Sequence, residues 1–294
     1  MMDNIFKGLG VALITPFCKD GSVDFSSLSS LTDSLITDGI DFLCVLGSTA
    51  ETPCLSGDER RRVKDCVVEA AGRRVPILLG MGSNDSAALA NEIKNFDFRG
   101  VDGILSVVPY YNKPSQQGMY EHFKLVASAA GDRRVVLYNV PGRTSVNMQA
   151  ATTLRLAQEC DNIVAIKEAS GSLAQIDTII HNAPEGFDVL SGDDALAVEL
   201  IGMGSCGVIS VVGNAIPRTF AKMVRTALSG DKVAAETADS ELRELYRLLF
   251  ADGNPAGIKA LLAAKGRINN VLRLPLTPAT EETQTALAAF TDIC

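Results

Sequence analysis

The first residue in this chain with a chemistry to offer is a lysine that ends a short apolar run. Asn162-Ile163-Val164-Ala165-Ile166 leads straight into Lys167-Glu168-Ala169-Ser170. An apolar run this short, bounded by polar residues, reads as a buried parallel strand with Lys167 at its carboxyl end. A lysine amine attacks carbonyl carbon only when neutral. With an ordinary pKa of about 10.4, about one lysine in a thousand is neutral near pH 7.4, and burial recovers up to about 4 kcal/mol of that deficit. The plain alternative is a strand whose last lysine meets water. Glu168, the next residue, turns to the other face of the strand and has no pairing role with the amine.

Other junctions between apolar runs and helical patterns carry groups that suit such an amine. Gly47-Ser48-Thr49-Ala50-Glu51 combines small residues with two hydroxyls, a nest for a carboxylate or only a corner. Pro109-Tyr110-Tyr111-Asn112-Lys113-Pro114 exposes paired tyrosines for binding or for an interface. Tyr138 ends another run, with Arg143 five residues on, as a proton-transfer group and a carboxylate clamp or as a structural pair. The only histidines, His122 and His181, lie inside helical patterns, and His122 reads as a helix-surface residue. Two histidines make a His-rich metal site or a Ser-His-Asp triad hard to build. Gly202-Met203-Gly204-Ser205-Cys206-Gly207 fits G-x-G-x-x-G, but a helix precedes it and a strand follows, the reverse of a dinucleotide site. No Walker-type loop is present either. The set points to Schiff-base carbonyl chemistry with no metal and no cofactor.

The elements that must position these residues alternate. Strand-like runs fall at 10–15, 42–46, 75–80, 103–108, 134–139, 163–167, 187–191 and 207–211, with amphipathic helical patterns between them. Ser56 and Glu59 have the capping-box spacing ahead of a helix over 58–71, while Gly39 and Gly131 stand where helices over 24–38 and 115–130 end. Eight strands alternating with helices over about 225 residues predict an α/β chain folded as a (β/α)8 TIM barrel; an open doubly wound sheet is the alternative. Catalytic residues of such barrels sit in the loops after the strands. The barrel is expected to span 1–229. Residues 230–294 read as a C-terminal helical appendage, with helices at 231–250, 255–265 and 280–290 and an extended linker around Pro275 and Pro278.

Composition narrows the class further. The 294 residues are 47% hydrophobic with a net charge of −8, which argues against nucleic-acid and anionic-membrane partners. The longest basic run, Arg60-Arg61-Arg62, lies among Asp58, Glu59 and Asp65 and reads as a solvated helix face. Seven cysteines, Cys294 among them, follow no C-x-x-C pattern and suit a reducing, cytoplasmic setting. No signal-peptide architecture opens the chain, and no apolar run approaches a membrane span.

Six ordered motifs also resemble a known family. Gly47–Glu51, Pro109-Tyr110-Tyr111-Asn112, Tyr138-Asn139-Val140-Pro141-Gly142-Arg143, Ile166-Lys167-Glu168-Ala169, Ser191-Gly192-Asp193-Asp194 and Gly207-Val208-Ile209-Ser210 resemble the dihydrodipicolinate synthase family, within the N-acetylneuraminate lyase superfamily. The similarity runs from about Gly8 to the 272–277 linker. It implies condensation of pyruvate with aspartate semialdehyde in lysine and diaminopimelate biosynthesis, by a homotetramer built as a dimer of dimers. Lys167 would form the imine with pyruvate. Tyr138 would shuttle protons, linked to Thr49 and to Tyr111 from a neighbouring subunit. Ser48 and Thr49 would hold the pyruvate carboxylate, Gly192 and Ile209 would shape the pocket, and Arg143 would bind the semialdehyde.

The motifs depart from the family at Ser48 and Ala50, where it usually has threonine and glycine. Ser48 keeps a hydroxyl but matches the lyase branch; Ala50 fits if its φ is not positive. Arg143 and Gly192-Asp193-Asp194 favour the synthase branch. The alternatives are a pyruvate-dependent aldolase of the lyase type and a non-catalytic barrel that binds a keto acid. The resemblance also aligns Gly57, Arg60, Asn84, Ala88 and Tyr110 with an effector pocket for lysine. Ala88 lacks the carboxylate found there in sensitive relatives, so weak or no inhibition by lysine is expected.

Overall fold

The computed structural model of the protein describes residues 2–293; Met1 and Cys294 lie outside them. The eight apolar runs become strands β1 (Gly8–Ala12), β2 (Phe42–Val45), β3 (Ile77–Gly80), β4 (Gly103–Val107), β5 (Arg134–Asn139), β6 (Ile163–Glu168), β7 (Asp188–Ser191) and β8 (Gly207–Ser210). They pair in sequence, and β8 pairs in parallel with β1, so the sheet closes on itself. This is the expected (β/α)8 barrel. Its strands are apolar almost throughout because helices cover one face and the barrel interior the other.

Two layers of side chains make the core. Between strands and helices lies a continuous shell that includes Leu9, Val67, Ile104, Phe123, Leu156, Ile176 and Phe220. Inside the barrel Phe6, Phe42, Leu78, Leu105, Val136, Val164, Leu190 and Ile209 pack together. Phe6 and Phe42 have ring centroids 5.5 Å apart. Gly10 leaves space for them, since a Cβ there would lie 2.2 Å from Phe42 Cζ. The helix boundaries follow their caps. Ser56 and Glu59 form the reciprocal capping box of helix Gly57–Ala71, and Gly131 closes helix Gln116–Ala130.

Two expectations need correction. The first strand starts and ends earlier than 10–15. Its ladder with β8 opens at Gly8 and Gly207. Leu13 N–H still donates to the Cys44 carbonyl of β2 at 2.9 Å, but the buried Ile14 and Thr15 leave the ladder for loop partners: Ile14 N–H donates to Asn214 Oδ1, and the Thr15 hydroxyl donates to the Ala50 carbonyl. His122 is not on a helix surface but 2% exposed. Helix Ser86–Asn95 covers it, with Ser86 Oγ 2.8 Å from His122 Nδ1. Burial pushes the imidazole down to about 4, so it is neutral. His181 is exposed.

After helix Pro217–Leu228 the chain continues as helices Lys232–Ala251, Ala256–Ala264 and Glu281–Ala288. Leu242, Leu245 and Leu249 are buried on the first of these, and nearly all of the second is buried. Among the described residues no helix is long and apolar enough to cross a membrane.

Candidate active site

β6 carries Lys167 and β5 carries Tyr138, and the two are register partners. Lys167 is 6% exposed, and its Nζ stands 4.5 Å from the centroid of the Tyr138 ring. The next pair in the register, Asn139 and Glu168, faces outward and fixes the strands at this point. Asn139 Nδ2 donates to both Glu168 oxygens at 3.1 and 3.2 Å, Gln175 Nε2 donates at 3.0 Å, and Ser170 N–H donates at 2.8 Å. Burial raises the Glu168 carboxyl against the opposing pull of these donors. Glu168 points away from the amine, as strand alternation requires.

The space around the amine is set by small residues. A Cβ on Gly192 would lie 2.7 Å from Ala169 Cβ and 3.2 Å from Lys167 Cε. Cys44 of β2 lines the same space, its thiol pushed up to about 11 by burial. After β2, Ser48–Ala50 forms one turn of 3-10 helix, and Glu51 takes the left-handed conformation at φ 55°. Ala50 is not among the positive-φ residues, so its methyl is accommodated. Arg143 sits on the short helix Pro141–Thr144, and its Nη2 donates to the Asn254 carbonyl at 3.3 Å.

Ser48, Thr49, Tyr138, Arg143, Lys167 and Gly192 line one cavity of about 610 Å³ at the carboxyl ends of the strands. Two residues singled out in the sequence do not line it. Ile209 is 1% exposed and packs in the interior cluster that contains Tyr138 and Val140. Tyr111 is 86% exposed, with φ 72°. Among the lining residues that the sequence reading missed are Arg243, Tyr246, Arg247 and Phe250 on helix Lys232–Ala251, and Asn254 beyond it. The spacing 243, 246, 247, 250 was a signal, because it marks one helix face; Asn254 had none. Among the described residues no group of three or more His, Cys, Asp or Glu could hold a metal ion.

The model of the dihydrodipicolinate synthetase family matches residues 5–293. The chain belongs to this family. A relative from Phocaeicola vulgatus, named 4-hydroxy-tetrahydrodipicolinate synthase, is 55% identical over 95% of this chain and 93% of that protein. The crystal structure of dihydrodipicolinate synthase from Aquifex aeolicus superposes with a TM-score of 0.93 at 39% identity, covering 97% of this chain and 96% of that one. A monomeric dihydrodipicolinate synthase variant superposes with a TM-score of 0.94 at 36% identity, covering 99% and 98%.

In this member of the dihydrodipicolinate synthetase family a second cavity, of about 500 Å³, shares Gly47, Ser48, Tyr138, Arg143 and Asn254 with the first and runs on to Arg60, Glu92 and Tyr110. Arg61 and Arg62 are exposed, as a solvated face requires. Arg60 departs from that reading: it pairs with Glu92 at 3.5 Å, and its Nε is buried without a partner.

Asp194 supports the far wall. Its Oδ2 accepts from the N–H groups of Val211 and Val212, both at 3.0 Å, and burial pushes its carboxyl up to about 6. A carboxyl whose pKa is raised on folding holds its proton better in the folded chain. Its contribution is therefore full below about pH 4 and is lost as pH rises through about 6. Relative to Asp194→Asn, the wild type should lose up to about 3 kcal/mol of unfolding free energy between about pH 4 and pH 7. Denaturant titrations of both proteins across that window measure the difference, and a flat difference would refute the assignment.

Proposed function

We propose that this chain is a 4-hydroxy-tetrahydrodipicolinate synthase, joining pyruvate to L-aspartate 4-semialdehyde through an imine on Lys167. The observation that carries the reading is the buried Lys167 amine over the Tyr138 ring, in a cavity that Ser48, Thr49 and Arg143 also line. The names of relatives up to 55% identical support it.

The Lys167 amine adds to C2 of pyruvate, and loss of water gives the imine. Removal of a proton from C3 gives the enamine, whose C3 forms the new bond to the aldehyde carbon. The aldehyde oxygen takes a proton and becomes a hydroxyl. The semialdehyde's own amino group then displaces Lys167 from the imine carbon and closes the ring. Tyr138 moves the protons of these steps, with Thr49 and with Tyr111 of a neighbouring subunit. Ser48 and Thr49 donate to the pyruvate carboxylate, Gly192 and Ile209 shape its pocket, and Arg143 pairs with the semialdehyde carboxylate.

The high exposure of Tyr111 fits a residue that works across an interface, and we take the assembly as a homotetramer, although one relative is a monomeric variant. On this reading the barrel of residues 1–229 carries the chemistry, the helices of 230–294 cap its mouth, and the enzyme is cytoplasmic.

Arg143→Ala separates this reading from a lyase-type aldolase. Loss of a charged hydrogen-bonding partner worth about 2–3 kcal/mol should lower kcat/KM for the semialdehyde by about 30- to 150-fold. Imine formation with pyruvate should be unchanged. Steady-state kinetics with each substrate varied test this, and an unaltered semialdehyde KM would favour the aldolase.

A further inference from the structure

The C-terminal helices grip residues 49–51, at the end of the turn after β2, at two points. One is the buried pair of Lys259 and Glu51. The other is Asn254, between helices Lys232–Ala251 and Ala256–Ala264, to which the proposed reaction gives no role. Its Nδ2 donates to Thr49 Oγ at 2.9 Å. Its backbone carbonyl accepts from Arg143 Nη2 at 3.3 Å. Its Oδ1 is buried with no partner, and the residue lines both cavities. The connection is held firmly. A Cβ on Gly257 would lie 2.2 Å from the Leu249 carbonyl oxygen, so the two helices meet backbone to backbone.

A hydroxyl has one proton and two lone pairs, whereas an amide nitrogen donates and cannot accept. With Asn254 Nδ2 on one of its lone pairs, Thr49 keeps its proton for an acceptor inside the pocket. We infer that Asn254 is a positioning residue for the condensation: it fixes the polarity of the Thr49 hydroxyl and ties that hydroxyl to Arg143 across the mouth. The inference rests on the roles proposed for Thr49 and Arg143. It makes the helices after the barrel part of the catalytic geometry, beyond their service as a cover.

Asn254→Asp tests this by reversing the bond. An ionised carboxylate only accepts, so Thr49 must turn its proton toward the introduced carboxylate and away from the pocket; a protonated carboxyl donates and restores the original polarity. Near pH 8, Asn254→Asp should turn over about tenfold or more slowly than wild type, on the scale of a disturbed proton-transfer group. The ratio of variant to wild-type kcat should then recover severalfold as pH falls to about 4, where an ordinary aspartate carboxyl is about half protonated. Asn254→Ala should be slow with a ratio flat in pH, and both variants should still take a pyruvate adduct under borohydride. A flat ratio for Asn254→Asp, or wild-type turnover in Asn254→Ala, overturns the inference. Melting curves run alongside; should the alanine variant fail to fold, the pH profile of the near-isosteric aspartate variant decides alone. A wild type that takes no adduct removes the imine reading and this inference with it, whereas an adduct with a flat ratio removes the inference alone.

Discussion

Lys167→Ala should abolish the borohydride-trapped pyruvate adduct and lower turnover by at least about 10⁴-fold, the scale on which covalent catalysis fails without its nucleophile. No neighbour can substitute. Cys44 lines the same cavity, but burial holds its thiol at about 11, so near neutral pH it is protonated and a poor nucleophile. Intact mass after reduction with pyruvate is the direct measurement. The wild type should gain one adduct of the reduced-imine mass and the variant none. An adduct retained by Lys167→Ala would move the chemistry to another amine. A wild type without any adduct would return Lys167 to the structural end of a strand. The variant should stay folded, because the register of β5 and β6 is held on the outer face by Asn139 and Glu168, which the substitution leaves in place.

Much of this was legible in the sequence, and the reasons are local. A strand buried on both faces is a short apolar run, and a polar residue at its end marks the mouth of the barrel; Lys167, Tyr138 and the Ser48–Thr49 turn all followed from that rule. Burial that depends on a neighbour did not follow. The helical pattern around His122 cannot tell that helix Ser86–Asn95 will cover it. Likewise Ile14 and Thr15 continue an apolar run, and partners as distant in sequence as Asn214 take them out of the ladder. Arg60 looked like its two neighbours in the run and differs only because a cavity opens beside it.

The largest gap concerned the helices after the barrel. Asn254 meets Thr49 from 205 residues away and Arg143 from 111. Nothing in the string Asp252-Gly253-Asn254-Pro255 distinguishes such a residue from a polar loop residue. Tertiary contact alone gives it a place in the site. The same holds for Lys259, which looks in sequence like one helical lysine among many and is fully buried in the fold.

Lys259→Met should therefore be the most damaging single change outside the barrel. Its ammonium is buried against Glu51, donates to the Val271 carbonyl at 3.0 Å and lies 4.1 Å from the centroid of the Phe17 ring. Burial pulls the ammonium down to about 8 in spite of its partner, so the pair is held at a desolvation cost. It matters for where it holds the chain more than for net stability. Removing one member leaves the other buried and uncompensated, at about 3–5 kcal/mol. In a chain of this size that lowers Tm by about 10 °C. Turnover should fall with it, because Glu51 follows Thr49 by two residues and also accepts the Arg273 N–H at 2.9 Å, tying the end of the Ser48–Ala50 turn to the linker. Adding Glu51→Gln to Lys259→Met removes the stranded charge and should recover at least half of the lost stability while activity stays low. Melting curves and kcat for the single and double variants test this together. If Lys259→Met melted within about 2 °C of wild type, far less than a broken buried pair requires, this pair would not be what fastens the C-terminal helices to the barrel mouth.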